Sequence, residues 1–170
     1  MIITTSRLTL RRPELADFEA YEAMWSHPDV MRHMSADVLT TEQMWTRFLR
    51  QAGGWHYLGF GYFSIEEQQT GRFVGQVGFQ DLRRDISPSL SGTLEAGWTL
   101  HPDVQGLGYA SEAAAGLFAW GSENFPGRRA TCIIAPENAP SLRIAAKMGM
   151  AEFARSTYQG KPIVMFERLL

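Results

Sequence analysis
The chain has 170 residues, 45% of them hydrophobic, enough to bury a full core and too few for two comfortable domains, so one domain spanning 1–170 is expected. A net charge of −2, from 16 basic and 18 acidic residues, gives no push toward nucleic acid, and the four histidines are scattered without metal-ligand spacing. No apolar run approaches the roughly eighteen residues of a membrane span, and the segment MIITTSRLTLRRP lacks the pattern of a leader peptide. Cys132, alone in the apolar run TCIIA, reads as a small buried core residue and fits a reducing compartment, so a cytoplasmic protein without metal is expected.

In chain order, RLTLRR alternates like a strand, and Pro13 then opens a helical segment with Phe18, Tyr21 and Trp25 at helical spacing. A second helix is predicted after Thr40 or Thr41 as N-cap, carrying Met44, Phe48 and Leu49 on one side and ending at Gly53 and Gly54. GYFSIEE and GRFVGQVGFQDL, joined by a polar turn at Gly71, read as an antiparallel hairpin. In TLEAGWTL, Glu95, Gly97 and Thr99 share one face, with Leu94, Ala96, Trp98 and Leu100 on the other. A helix follows with Ala110, Ala114, Leu117, Phe118, Gly121 and Phe125 along one stripe. ATCIIA reads as a buried strand, NAPSLRIAAKMG as a short helix with Pro140 in its first turn and Gly149 beyond its end, and the remainder as a closing hairpin. The pattern predicts a mixed α/β sheet covered by helices, with no internal repeat.

Ahead of the alanine-rich helix stands HPDVQGLGY. Glycines at a helix start allow positive backbone dihedrals, and the unpaired N–H groups there attract anions. A phosphate-binding P-loop would need a lysine followed by Ser or Thr, and the dinucleotide fingerprint would need a third glycine where Ser111 stands. What remains is Q-x-x-G-x-A, in Gln105, Gly108 and Ala110, with Gly106 and Leu107 between them.

That pattern resembles the pyrophosphate-binding motif of the GNAT superfamily of acetyl-CoA-dependent N-acyltransferases. A second match, Asn138, Ser141, Lys147 and Gly149 in NAPSLRIAAKMG, resembles the segment that closes the cofactor site in the branch containing ribosomal-protein N-acetyltransferases. LEAGWTL and TSRLTLRRP are similar to that branch's fourth and first strands. The resemblance implies the GNAT fold: a mixed, mostly antiparallel seven-stranded sheet flanked by about four helices, with strands four and five splayed. It implies acetyl-CoA as co-substrate and a primary amine as acceptor, either a peptide N-terminus or a small molecule. Neither nucleic acid nor membrane is expected as partner, and a homodimer stays open.

The site residues follow. Main-chain N–H groups from Gln105 through Tyr109 to Ala110 would bind the pyrophosphate without a lysine. Trp98, Thr99 and Leu100 would run beside the cofactor, with a backbone N–H near Thr99 or Leu100 as oxyanion donor. Asn138 and Ser141 would close the site, and Arg143 and Lys147 would meet the 3′-phosphate or only water. Glu95 is either the base or a salt-bridged strand residue. Ala145 stands where many members carry a tyrosine acid, so Ser141 becomes the hydroxyl candidate, or else a residue of the helix start. Trp25, Met31, Met34, Trp45, Trp55 and Tyr57 are candidates for the acceptor pocket or for core. A non-catalytic coenzyme A-binding module is the competing function.

Overall fold
Period-two apolar alternation sets the sheet. Leu8 and Leu10 of Leu8–Arg11 (β2), Phe63 and Ile65 of Tyr62–Glu67 (β3), and Val77 and Phe79 of Phe73–Gln80 (β4) turn to one face and are completely buried. Leu94 and Ala96 of Leu94–Leu100 (β5) join them. The structure, a computed structural model, describes residues 1–32 and 39–170; His33 and the pocket candidate Met34 lie outside the described residues. Eight strands form one sheet in the order β1-β2-β3-β4-β5-β6-β8-β7, completed by Ile2–Thr4 (β1), Arg129–Ile134 (β6), Ala151–Tyr158 (β7) and Lys161–Leu169 (β8). Every pairing is antiparallel except β5 with β6.

The helices cover both faces. Tyr109–Asn124 (α4) packs on the face just described, burying Ala114, Leu117, Phe118 and Gly121 as its stripe predicts, and also Tyr109, Ala113 and Trp120. Trp120 sits among Trp55, Phe63, Phe79 and Phe125, so the buried face is wider than one stripe. On the other face, Phe18–Ser26 (α1), Pro28–Met31 (α2) and Thr41–Gly53 (α3) close over their own cluster of Tyr21, Met24, Trp25, Val30, Met44 and Phe48. A reciprocal amide pair, Gln51 with Gln76 at 3.0 and 3.1 Å, ties α3 to β4. The short helix Ala139–Lys147 (α5) follows β6. Among the described residues no helix is long and apolar enough to cross a membrane.

Three details differ from expectation. The sheet has eight strands and the described residues five α-helices, not seven and about four; β1 is three residues with Ile2 exposed, too short to show alternation. The second helix does not stop at its glycine pair. It runs through Gly53 into a π-helical turn over Gly54–Leu58 and exits at Gly59, whose φ of 77° suits glycine. Gly54 is there for closeness, since a Cβ would lie 3.1 Å from the Phe60 carbonyl oxygen, and the extra turn buries Trp55, which donates to the Tyr62 carbonyl at 2.9 Å. Finally, His-Pro-Asp-Val occurs twice, at 27–30 and 101–104, and each copy caps a short helical turn in the same way. Thr40 rather than Thr41 is the cap, and the positive φ of Gly71 and Gly149 follows the sequence reading; Gln43 completes the cap with a reciprocal bond.

A buried ion pair fixes α1 to the sheet. Asp17 accepts both arms of the Arg11 guanidinium at 2.6 and 2.8 Å, the Ser64 hydroxyl at 2.8 Å and the Glu14 N–H at 2.9 Å. Burial raises the Asp17 pKa, but these donors outweigh it and leave it below the ordinary value. A depressed folded pKa stabilises above the unfolded value of about 3.9 and is lost as pH falls through the folded one. In urea denaturation at a series of pH values, Asp17→Asn is therefore expected to lose most stability near pH 5–7, with the gap to wild type closing below about pH 3.

Candidate active site
The centre of the sheet opens because β5 and β6 pair at only two positions, Leu94 with Ala130 and Glu95 with Thr131. Beyond Glu95 the far edge of β5 has no strand beside it. On its near edge β5 pairs with β4 through Leu100, and His101 donates to the Val74 carbonyl at 2.8 Å. Antiparallel alternation from that bond commits the Thr99 N–H to β4 and turns those of Trp98 and Leu100 to the opening. Of the two expected oxyanion donors, Leu100 faces the cleft and Thr99 does not.

Two helix starts border this opening. At α4, Gly106 and Gly108 have φ of 83° and 81°. The Gln105 N–H donates to the Pro102 carbonyl and the Leu107 N–H more distantly to Val104, whereas those of Gly106, Gly108, Tyr109 and Ala110 meet no acceptor among the described residues. Four donors thus gather at the positive end of a 16-residue helix. The loop is clamped from outside: Arg7 donates to the Leu107 carbonyl at 2.9 Å and to Glu112 at 2.7 Å, and the Tyr109 hydroxyl donates to Glu67 at 2.6 Å. Sequence spacing gave no hint of these contacts, since Arg7 and Glu112 are far apart in the chain.

At α5, the Asn138 side chain accepts from the Ser141 N–H at 3.1 Å, so Asn138 is the cap. The Ser141 oxygen instead accepts from the Trp98 indole at 3.2 Å, bridging α5 to β5 across the splay. Arg143 and Lys147 are exposed on the same helix. Ala145 is fully buried in the core, and its methyl offers no proton donor. Cys132 is buried as expected, which pushes its thiol pKa up.

On the opposite side of β5, Glu95 is 4% exposed. Its Oε1 accepts from Gln80 at 3.0 Å and from Arg84 at 2.8 and 3.1 Å, and its Oε2 from Arg84 at 2.8 Å. Glu95 is therefore a salt-bridged residue. Oε1 is filled, but Oε2, with a single bond, can still accept a proton or a water. Burial lowers the Arg84 pKa, yet Glu95 outweighs this and leaves it raised. Above the carboxylate lies Tyr62, missed by sequence reasoning; its phenol is pushed up to about 12 by burial and by Glu95. Gly97 makes room for it, since a Cβ there would fall 2.0 Å from the Tyr62 hydroxyl.

Of the pocket candidates, Trp25, Met31 and Tyr57 line the cavities beside Glu95. Trp55 is core, and Trp45 lies outside, packed on Phe18 and Phe48. The twin His-Pro-Asp-Val caps meet here: the His27 and His101 rings pack edge to face with centroids 5.9 Å apart, setting the corner of α1 and α2 against the loop before α4. No cluster of three or more His, Cys, Asp or Glu suited to a metal occurs among the described residues.

This architecture is that of an acetyltransferase. Residues 7–151 match the profile of the acetyltransferase (GNAT) domain, and the chain belongs to that family. The uncharacterized N-acetyltransferase YnaD of Bacillus subtilis is 31% identical over 150 residues, covering 88% of this chain and 82% of its own. A putative GNAT-family acetyltransferase from Bordetella pertussis has a TM-score of 0.89 at 29% identity, over 99% of both chains. The ribosomal L7/L12 alpha-N-protein acetyltransferase RimL, solved in complex with coenzyme A, shares the fold with a TM-score of 0.80 at 17% identity, over 100% of this chain and 98% of its own.

Gly108→Ala tests the loop. The nearest atom to a Cβ is Arg7 Nη2 at 3.5 Å, so the cost is backbone strain rather than collision. A loss of about 1–2 kcal/mol in denaturant stability is expected.

Proposed function
We propose that the chain is a single-domain N-acetyltransferase that moves the acetyl group of acetyl-CoA to a primary amine by direct attack. The carrying observation is the combination of the unpaired N–H groups of Gly106, Gly108, Tyr109 and Ala110 at the start of α4 with the open edge of β5 that leads into that turn. The cradle suits a pyrophosphate, and the exposed Arg143 and Lys147 suit the outlying phosphate. The Leu100 N–H is suited to the oxyanion that forms when the amine nitrogen attacks the thioester carbon. Glu95 Oε2 takes the amine proton, directly or through a water, and the C–S bond breaks. Because Trp98 donates to the Ser141 oxygen, the Ser141 proton is left to face the departing thiolate. A thiol of ordinary pKa, about 8.5, needs little more help. The lone buried Cys132 agrees with a cytoplasmic setting.

The buried Ala145 and the paired Glu95 favour a second reading, a coenzyme A-binding module without turnover. Both readings expect acetyl-CoA at about a hundred times its Kd to add about 2.7 kcal/mol, raising Tm by about 5–10 °C in a heat-denaturation assay. An unchanged Tm would overturn both. Thiol release with a panel of amines separates them.

For the enzyme, Glu95→Gln is expected to lower the rate on a fixed amine by about 100-fold near pH 7, with acetyl-CoA affinity nearly unchanged. The deficit should shrink as pH rises toward the amine pKa, about 8 for an α-amino group and about 10.4 for a lysine. A deficit independent of pH assigns Glu95 only to holding Arg84.

A further inference from the structure
A cavity of about 310 Å³ lies between α1, α3 and the sheet and shares Trp25, Arg47, Arg50 and Tyr62 with the cleft at Glu95. Its charges are uneven. Arg84 is neutralised by Glu95, and both Asp81 carboxylate oxygens accept backbone N–H groups, from Arg83 and Gly92. Arg47 and Arg50, one turn apart on α3, have no carboxylate partner among the described residues; the Arg47 guanidinium lies 3.7 Å over the Trp25 ring.

Two buried donors in the same wall are also unpartnered. The Tyr21 hydroxyl and the Trp25 indole N–H belong to residues 0% and 5% exposed, and neither has a hydrogen-bond acceptor. Burial pushes the Tyr21 phenol up, and the nearby Arg47, Arg50 and Gln51 amide offset only part of that; Tyr21, Arg47, Arg50 and Gln51 all line this cavity. Buried donors without acceptors are costly, and two cations beside them call for an anion rich in lone pairs. A polyamine in this cavity would meet two guanidiniums.

We propose that the acceptor amine carries a carboxylate, bound by Arg47 and Arg50 with Tyr21 and Trp25 as further donors, while its amine reaches toward Glu95. This rests on the reading of the chain as an amine acetyltransferase and narrows its substrate to amino acids or acidic peptides.

Binding can be measured apart from turnover by titrating ligands into protein saturated with coenzyme A, which transfers nothing. Phenylalanine and phenethylamine differ only in the α-carboxylate, and the amidated dipeptides Phe-Glu and Phe-Gln only in a side-chain carboxylate. In at least one pair the carboxylate member is expected to bind about tenfold tighter or better, and that pair names the source. Arg47→Gln and Arg50→Gln should each remove most of this advantage without weakening coenzyme A. Equal binding within both pairs, no binding of any of the four at millimolar concentration, tighter binding of spermidine, or an advantage that survives both substitutions overturns the proposal. Carboxylate-selective binding without thiol release from acetyl-CoA would instead sink the enzymatic reading and leave only the carboxylate site at Arg47 and Arg50 standing. Turnover of spermidine alone would do the reverse.

Discussion

The site depends on one interruption of hydrogen bonding, the parting of β5 and β6 after two paired residues. A strand edge in the middle of a sheet normally has a neighbour, and unpaired backbone groups there must find water or a ligand. The parallel pairing makes this possible, because parallel strands need a long crossover, here α4, which begins beyond the open end of β5. α5 then begins just beyond the end of β6, so two helix N-termini meet the open edge. Trp98 and Ser141 span the gap with one hydrogen bond, fixing its width without closing it.

Around this opening, charge is managed in two different ways. Where the fold needs a buried charge, it supplies the partner at once: Asp17 with Arg11, and Glu95 with Arg84. Removing either partner would strand a charge away from water, so these pairs fix geometry more than they add net stability. The exposed Arg7 instead joins the first loop to the glycine turn through Glu112 and Leu107. Arg47 and Arg50 follow neither pattern, and that contrast gives the cavity between α1, α3 and the sheet its chemical character.

The paired His-Pro-Asp-Val caps join the two halves of the site. Each histidine accepts from the N–H two residues on, and each proline occupies the first helical position, so the segments are stiff before they meet. Their edge-to-face contact couples the corner of α1 and α2 to the glycine loop ahead of α4.

Local rules settled much of this protein in advance. Alternation fixed most of the strands, Thr40 fixed a helix start, and Gly106 and Gly108 fixed a turn ahead of α4, because each of these is decided by a few neighbouring residues. Tertiary structure decided what depends on residues distant in the chain. Thr99 and Leu100 are adjacent in sequence, yet which N–H faces the opening depends on the register with β4. Glu95 could read as free or paired until Arg84 was seen to fold back onto it, and Tyr62 carried no signal until its hydroxyl came to rest over Gly97. The sequence by itself determined most of the elements and the glycine turn ahead of α4. Packing alone decided which polar groups were already satisfied and which were left for a ligand, since satisfaction is a property of three-dimensional neighbours.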